Sequence, residues 1–277
     1  MIPVAFDYKK AVTVEEAIAE LSGGESKLLA GGYSLLPSMK LRLTQPSKLV
    51  DIANIPSLKG IKEEGGHIVI SAGTTHHDIG NNDIIKHHLP FFIEAAHMIG
   101  DVQVRNRGTI GGSLAHADPA ADWPALVLAS DAVIEVMGTG GVRSIKVTEF
   151  FTGLFSTQLK EDEIITAIRI PIPEKGAKTV YLKYSNPASR FAVVGCAVLR
   201  YPGEKTNIAF TGVADIPFRD SAAEQTASGK ALDQVNIDAA ANAAAEGVNI
   251  NSDLFASAEY RKHLAKVFLK RALQAVA

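Results

Sequence analysis

The chain has 277 residues, and 28 basic against 30 acidic side chains leave a formal charge of −2, which gives no electrostatic reason to bind nucleic acid or an anionic membrane. With 47% hydrophobic and 21% charged residues, the composition is that of a globular protein and excludes disorder and collagen-like or coiled-coil repeats. A chain of this length is expected to divide into two or three compact units.

The N-terminal stretch 1–10 carries Asp7, Lys9 and Lys10 and lacks the apolar core and cleavage site of a secretory signal. No apolar run approaches the roughly 18 residues that a spanning helix needs, so a cytoplasmic location without a transmembrane segment is expected. Thr13 is a suitable N-cap for a helix over 14–21, whose apolar residues recur at helical spacing and which Gly23 and Gly24 should stop. A short apolar strand at 27–30 then runs directly into Gly31 and Gly32, followed by a helical pattern over 34–43. Short β-like runs follow at 48–52, 58–62 and 68–71, the last two joined by a turn at Gly65 and Gly66. From 74 to 99 the pattern is helical, with Pro90 opening a segment that contains Phe91, Phe92, Ala95, Ala96 and Ile99. A polar stretch, 101–107, leads to a second glycine cluster at Gly108, Gly111 and Gly112. Asp118-Pro119 predicts the start of a helix over 120–129, and strands are expected at 132–137, 142–147 and 164–170.

Pro171, Pro173, Lys175 and Gly176 form a composition break, which divides the chain into 1–175, with subdomains of about 1–54 and 55–175, and 176–277. Beyond it, 179–184, 192–200 and 207–213 read as strands, and 238–246 and 259–276 as alanine-rich helices. In the last helix Tyr260, Leu264, Val267 and Phe268 fall at i, i+4, i+7 and i+8, which predicts one buried stripe. Cys196, the only cysteine, sits in the apolar run 191–198 and reads as an inert core thiol. Alone it cannot form an internal disulfide, a cysteine-ligated zinc site or an iron–sulfur cluster, so any such cluster belongs to a partner.

Two sequences carry the chemistry: Ala30-Gly31-Gly32-Tyr33-Ser34 and Thr109-Ile110-Gly111-Gly112-Ser113. Glycine lets backbone N–H groups approach an anionic oxygen and take positive φ, a hydroxyl adds a donor, and a helix N-terminus adds partial positive charge. A pyrophosphate is the natural guest, although Gly-Gly is also common turn chemistry. Neither G-x-G-x-x-G after a strand nor G-x-x-x-x-G-K-[ST] occurs, which argues against a Rossmann dinucleotide fold and a P-loop. Seven of the eight histidines fall between His67 and His116, but no metal-ligand spacing links them, and no metal is expected. His76 and His77 are better placed to line a cleft or cap a helix. No nucleophile elbow or catalytic-cysteine setting is visible.

The run from Ala30 to Pro37, Lys40-Leu41-Arg42, the run from Thr109 to Ser113 and Ala117-Asp118-Pro119-Ala120-Ala121-Asp122 together resemble the FAD-binding medium subunit of the molybdenum hydroxylases, the xanthine dehydrogenase family. Within it the nearest likeness is to the medium chains of aerobic carbon monoxide dehydrogenases, and it extends from Pro3 to Glu259-Tyr260-Arg261 and the C-terminal helix. The resemblance implies an α+β protein: an FAD-binding fold of the p-cresol methylhydroxylase and vanillyl-alcohol oxidase type, with two subdomains, then a C-terminal α+β domain with a three-stranded sheet. By matching positions, Leu28, Leu29, Ala30, Gly31, Gly32, Tyr33, Ser34 and Leu35, with Thr109, Ile110, Gly111, Gly112 and Ser113, would bracket the pyrophosphate of FAD. Asp122 would bind the adenosine side, Ile99 and Ile165 would pack against the cofactor, and Lys183 would sit near the flavin, where a cation stabilises the charge gained on reduction. Read without the resemblance, Asp122 is a first-turn carboxylate of a helix and Lys183 a solvated strand-end charge.

Two positions depart from the family pattern: Tyr33 stands where histidine is common in carbon monoxide dehydrogenase medium chains, and Arg190-Phe191 where many relatives have Asp-Tyr. The resemblance further implies a large molybdenum-binding subunit and a small subunit with two [2Fe–2S] clusters as partners. This chain would pass their electrons to a quinone or NAD. The rival readings are a stand-alone flavin-dependent oxidase or reductase of the same fold and a nucleotide-binding scaffold without redox chemistry.

Overall fold

The computed structural model describes residues 2–21 and 25–277, so the expected helix stop at Gly23 and Gly24 lies outside the described residues. The first layer is a parallel sheet of order β1-β3-β2, built from β1 (Asp7–Lys10), β2 (Ser26–Leu29) and β3 (Lys48–Asp51) and connected through α1 (Val14–Leu21) and α2 (Leu35–Lys40). Thr13 caps α1, its hydroxyl accepting the Glu16 N–H at 3.1 Å. Val14, Ala17, Ile18 and Leu21 share the face that packs with Val50 and Ile52. The helix expected over 34–43 is shorter, ending at Lys40.

The 3-10 turn Pro56–Leu58 leads to β4 (Ile61–Glu64) and β5 (His67–Ser71), turning at Gly65 and Gly66, both at positive φ. The helical region expected over 74–99 is three helices, α3 (His76–Gly80), α4 (Asp83–His88) and α5 (Pro90–Met98), because Thr75 and Asn82 each cap a new start. The polar stretch after them is itself helical: α6 (Val102–Arg107) is capped by Asp101 Oδ1, which accepts the N–H groups of Gln103 and Val104 at 2.9 Å. Next come α7 (Ile110–His116) and α8 (Trp123–Ala129). The start expected at Asp118-Pro119 is displaced, because the Asp118 carboxylate accepts the Ala120 N–H at 2.8 Å and forms a turn, leaving Pro124 in the first turn of the helix.

An antiparallel sheet of order β4-β5-β10-β6-β7 covers these helices, with β6 (Val133–Gly138), β7 (Gly141–Lys146) and β10 (Ile164–Pro171). Between β7 and β10 lie the short α9 (Val147–Phe150) and a small hairpin, β8 (Phe151–Gly153) and β9 (Ser156–Thr157). Ile68, Ile70, Ile134, Val136, Ile168 and Ile170 from the sheet meet Phe91, Phe92, Trp123 and Leu126 from the helices in one core.

The C-terminal residues form an antiparallel sheet of order β11-β12-β13-β14, from β11 (Lys178–Ser185), β12 (Ala192–Arg200), β13 (Thr206–Thr211) and the two-residue β14 (Phe218–Arg219). The expected three strands thus gain a short fourth. Central β12 is buried from Ala192 to Leu199, including Cys196. One face takes α10 (Ser221–Ala227), α11 (Gln234–Asn242) and α12 (Ala258–Val276). Helix α11 begins four residues earlier than expected, at Gln234, because the Asp233 side chain caps it. The buried face of α12 carries Arg261, Leu264, Ala265, Phe268, Leu269, Ala272, Leu273 and Val276. Leu264 and Phe268 lie on it as expected, whereas Val267 is half-buried and Tyr260 exposed, because Arg261 occupies the first buried position. Arg261 is held there by the carbonyls of Val193 and Gly212, both at 2.6 Å, and by Asp253.

The core of the first 175 residues continues into the C-terminal sheet through Tyr181, Ala197 and Ala209. Polar contacts reinforce the junction: the Thr211 hydroxyl lies 2.5 and 2.6 Å from the carbonyls of Pro119 and Ala121, and the Ala192 N–H donates to Ala120 O at 3.0 Å. Among the described residues no helix is long and apolar enough to cross a membrane.

Candidate cofactor site

Strand β2 ends at Leu29, and the chain turns through Ala30, Gly31 and Gly32 before Leu35 opens α2. Gly32 lies at φ +82°, and a Cβ on Gly31 would abut the Arg107 carbonyl and stand 2.8 Å from Gly108 Cα. The bend therefore seats glycine against the end of α6 with no space for a side chain. On the other side, a Cβ on Gly112 would lie 3.9 Å from Ala30 Cβ, so the two glycine segments face each other.

They offer different chemistry. In the second segment four of the five backbone donors, all but that of Thr109, are engaged: Ile110 N–H to Thr74 O (3.1 Å), Gly111 to Ala72 O (2.9 Å), Gly112 to Thr109 Oγ1 (3.1 Å) and Ser113 to Thr109 O (3.0 Å). This segment is the capped first turn of α7, and Gly111 is needed there because a Cβ would fall 2.7 Å from Ala72 O. It presents the Ser113 hydroxyl and the positive end of a helix. In the first segment the N–H groups of Gly31, Gly32, Tyr33 and Ser34 have no acceptor among the described residues, nor does the Ser34 hydroxyl donate to one. Four consecutive free amides beside a helix start and two free hydroxyls fit an anionic diphosphate.

A chain of buried contacts leads from this bend to the other candidate residues. His76 Nε2 would be 2.6 Å from a Cβ on Gly108, and His76 Nδ1 accepts the Trp123 indole N–H at 3.0 Å. Burial, with the Arg105 cation as a lesser cause, holds His76 down to about 4, so the ring is neutral and this bond assigns the proton to Nε2. Asp122 precedes Trp123 and does not cap α8; its carboxylate instead pairs with the ammonium of Lys183 at 2.9 Å and accepts the Tyr181 hydroxyl at 2.5 Å. Lys183 Nζ also donates to Met98 O at 3.1 Å, and its side chain is wholly enclosed. Burial pushes the Asp122 carboxyl up against the pull of Lys183, and burial beside that carboxylate pushes the Tyr181 phenol up. The proton thus belongs on Tyr181, which donates.

Ile99 follows Met98 and is half-buried, while Ile165 is buried on β10 next to Thr166, whose carbonyl accepts the Ala72 N–H at 2.9 Å. Residues 28–35, 109–113, Ile99, Asp122, Ile165 and Lys183 are thereby linked around one region. Tyr33 is exposed at the rim, and so are Arg190 and Phe191. Lys183 is the residue whose setting differs most from a solvated strand-end charge, since its three donors are all used inside the protein.

His76, Trp123, Tyr181 and Arg105 complete the region. His76 signals itself weakly in the sequence by following Thr74-Thr75. Trp123 and Tyr181 look like ordinary core aromatics until their polar atoms are seen bonded. Among the described residues no group of three or more histidine, cysteine or carboxylate side chains is placed to hold a metal ion.

Comparison with known proteins adds the following. The family described as the FAD binding domain in molybdopterin dehydrogenase matches residues 4–173, and the CO dehydrogenase flavoprotein C-terminal domain matches residues 179–276. The carbon monoxide dehydrogenase medium chain of Hydrogenophaga pseudoflava is 41% identical over 281 positions, covering 99% of this chain and 98% of the relative. The glyceraldehyde dehydrogenase medium chain of Sulfolobus acidocaldarius is 37% identical, with both chains covered completely. The solved structure of carbon monoxide dehydrogenase from Hydrogenophaga pseudoflava superposes with a TM-score of 0.96 at 42% identity, covering 100% of this chain and 98% of that one.

Proposed function

The chain belongs to the family of FAD-binding medium subunits of the molybdopterin dehydrogenases, and from that premise we propose that it carries electrons from the [2Fe–2S] clusters of a small partner subunit to a quinone or NAD acceptor. It is an FAD-dependent oxidoreductase subunit, and the substrate would be oxidised on a large molybdenum-binding partner. Bound FAD supplies the redox chemistry, because flavin exchanges electrons singly or in pairs. The protein's share is to bind and orient it.

The observation that carries the reading is the row of four free N–H groups at 31–34, in the bend that approaches the first turn of α7 at Ala30 and Gly112. These amides and the Ser34 and Ser113 hydroxyls would hold the diphosphate, with Leu28, Leu29, Leu35, Thr109, Ile110 and the glycines fixing their direction. Ile99 and Ile165 would give apolar contact to the cofactor. Asp122 and Lys183, whose charged groups lie 2.9 Å apart, would meet the cofactor at one place, near the flavin, and not separately at its adenosine and flavin ends as the resemblance implied. The division near residue 175 into an FAD-binding part and a C-terminal part, and a cytoplasmic site of action, belong to the same proposal.

Purification from the native host tests it. We expect co-elution with two further chains, one FAD per copy of this chain, and molybdenum and iron in the complex. A colourless chain that takes up no added FAD would overturn the reading. Reduction of the isolated, loaded chain by an organic substrate would instead mark a self-contained oxidase.

A further inference from the structure

The turn at 98–100 points three successive carbonyl oxygens at cationic side chains. Lys183 Nζ donates to Met98 O at 3.1 Å, Arg105 Nη1 to Ile99 O at 3.0 Å and Gly100 O at 3.1 Å, and Arg190 Nη1 to Gly100 O at 2.9 Å. Lys183 is fixed by Asp122, and Arg105 folds back from the adjoining α6 onto its own approach. Arg190 differs in kind: it comes from the β11–β12 loop, 90 residues later in the chain.

That loop is shaped around Arg190. Asn186 Oδ1 accepts the N–H groups of Ala188 and Ser189, the Asn186 N–H donates to Phe191 O, and the Arg190 N–H donates to Asn186 O. These bonds hold Arg190 at φ +62°, a left-handed conformation uncommon outside glycine, asparagine and aspartate. Its target is equally constrained: Gly100 lies at φ +47°, and a Cβ there would meet the Val104 side chain at 2.8 Å. Two left-handed residues from distant segments thus meet through one charge-assisted hydrogen bond.

We propose that Arg190 is a positioning residue for the flavin: it latches the 186–191 loop onto the 98–100 turn and so fixes Ile99 at the cofactor cleft. This rests on the reading that the cleft takes FAD. Ile99 is the residue between the two carbonyls that Lys183 and Arg190 hold, and without Arg190 the Gly100 carbonyl keeps only the bond from Arg105, inside its own segment, so the turn loses its tie to the β11–β12 loop. The Arg190 bond is exposed and screened by water, so its loss should weaken FAD binding only by about threefold to tenfold.

The full-length chain with Arg190→Asn and Arg190→Lys tests the latch. Asparagine tolerates the left-handed backbone but removes the guanidinium, whereas lysine keeps a cation able to reach the carbonyl. The readouts are FAD affinity from quenching of FAD fluorescence, the visible circular dichroism of bound flavin, and the Tm of the FAD-free chain. We expect R190N to weaken affinity about threefold to tenfold and to change the flavin dichroism while leaving the FAD-free Tm unmoved, with R190K recovering most of both. Should R190N fold poorly, Arg190→Gly, which takes φ +62° without strain, gives the same readouts. Wild-type affinity and dichroism in the variant lacking the guanidinium would overturn the latch. So would weakened binding that follows a lowered FAD-free Tm and is not rescued by R190K. A wild-type chain that binds no FAD would overturn the cofactor reading, and the latch with it, before any variant is compared.

Discussion

Gly31 has no room for a methyl group, since its Cβ would press on backbone atoms of Arg107 and Gly108 that no rotamer change can move. Gly31→Ala should therefore cost about 1–3 kcal/mol of stability, the usual range for overpacking. If the free amides of 31–34 hold the diphosphate as proposed, it should also weaken FAD binding by roughly tenfold, because those amides move with it. Thermal melts of the FAD-free chain and fluorescence titration with FAD check the two effects separately. His76 gives a prediction of a different sort. Its ordinary pKa of about 6.5 falls to about 4 in the fold, so between those values the unfolded chain binds a proton that the folded chain refuses. The stabilisation is complete above about pH 6.5 and is lost as pH falls toward about 4. Urea unfolding at pH 7 and pH 5 should show His76→Gln losing about 2 kcal/mol less than wild type over that interval, its amide still able to accept the Trp123 N–H. Equal losses in the two proteins would mean that His76 is not held neutral.

At the scale of elements, the joint between α8 and β11 is a buried ion pair, and its energetics are asymmetric. Removing one partner leaves an uncompensated charge in the core, which costs about 3–5 kcal/mol, whereas removing both leaves only a packing defect. Lys183→Met should thus be far more destabilising than Lys183→Met combined with Asp122→Asn, and a urea double-mutant cycle should show coupling of about 2 kcal/mol or more. Additive losses would show that the two groups do not depend on each other. The same joint marks where the sequence stops being readable. Strands β10 and β12 and helix α1 are visible as apolar periodicity, and the Gly31-Gly32 bend is visible because glycine has a local reason to be there. Helix α6 is not, because none of its residues is buried and its six positions carry no apolar stripe. The stripe of α12 is misjudged at its start, where Arg261 is buried in place of Tyr260, because Arg261, which looks like surface, finds two carbonyls and a carboxylate inside. The pairing of Asp122 with Lys183 spans 61 positions, and no local pattern announces it. Each candidate is legible singly, as a carboxylate in the first turn of a helix or a charge at a strand end, but their mutual neutralisation is a property of the assembled core.

On the scale of the whole molecule, the question is whether the parts before and after residue 175 behave as one body. The core runs across that point through Tyr181, Ala197 and Ala209, and polar bonds from Thr211 and Asn207 reach the carbonyls of Pro119, Ala121 and Ala129. Pulling the two parts apart would strand these carbonyls and expose the Asp122–Lys183 pair, so neither part should persist once the other has unfolded. The chain carries its own two reporters: its single tryptophan, Trp123, lies on α8, and its single cysteine, Cys196, lies fully buried in the central strand of the C-terminal sheet. Indole emission therefore follows the N-terminal part, and thiol labelling by a chromogenic disulfide follows the C-terminal part. In wild type the two urea transitions should coincide, as expected of a cooperative unit. Thr211→Val keeps the shape of the side chain but removes its hydroxyl, leaving Ala121 O without that donor at a cost of about 1–3 kcal/mol. Because that loss falls on the junction and spares both cores, it should draw the two transitions apart, with Cys196 and Trp123 reporting different midpoints. Midpoints that are separate already in wild type would show that the junction does not couple the parts.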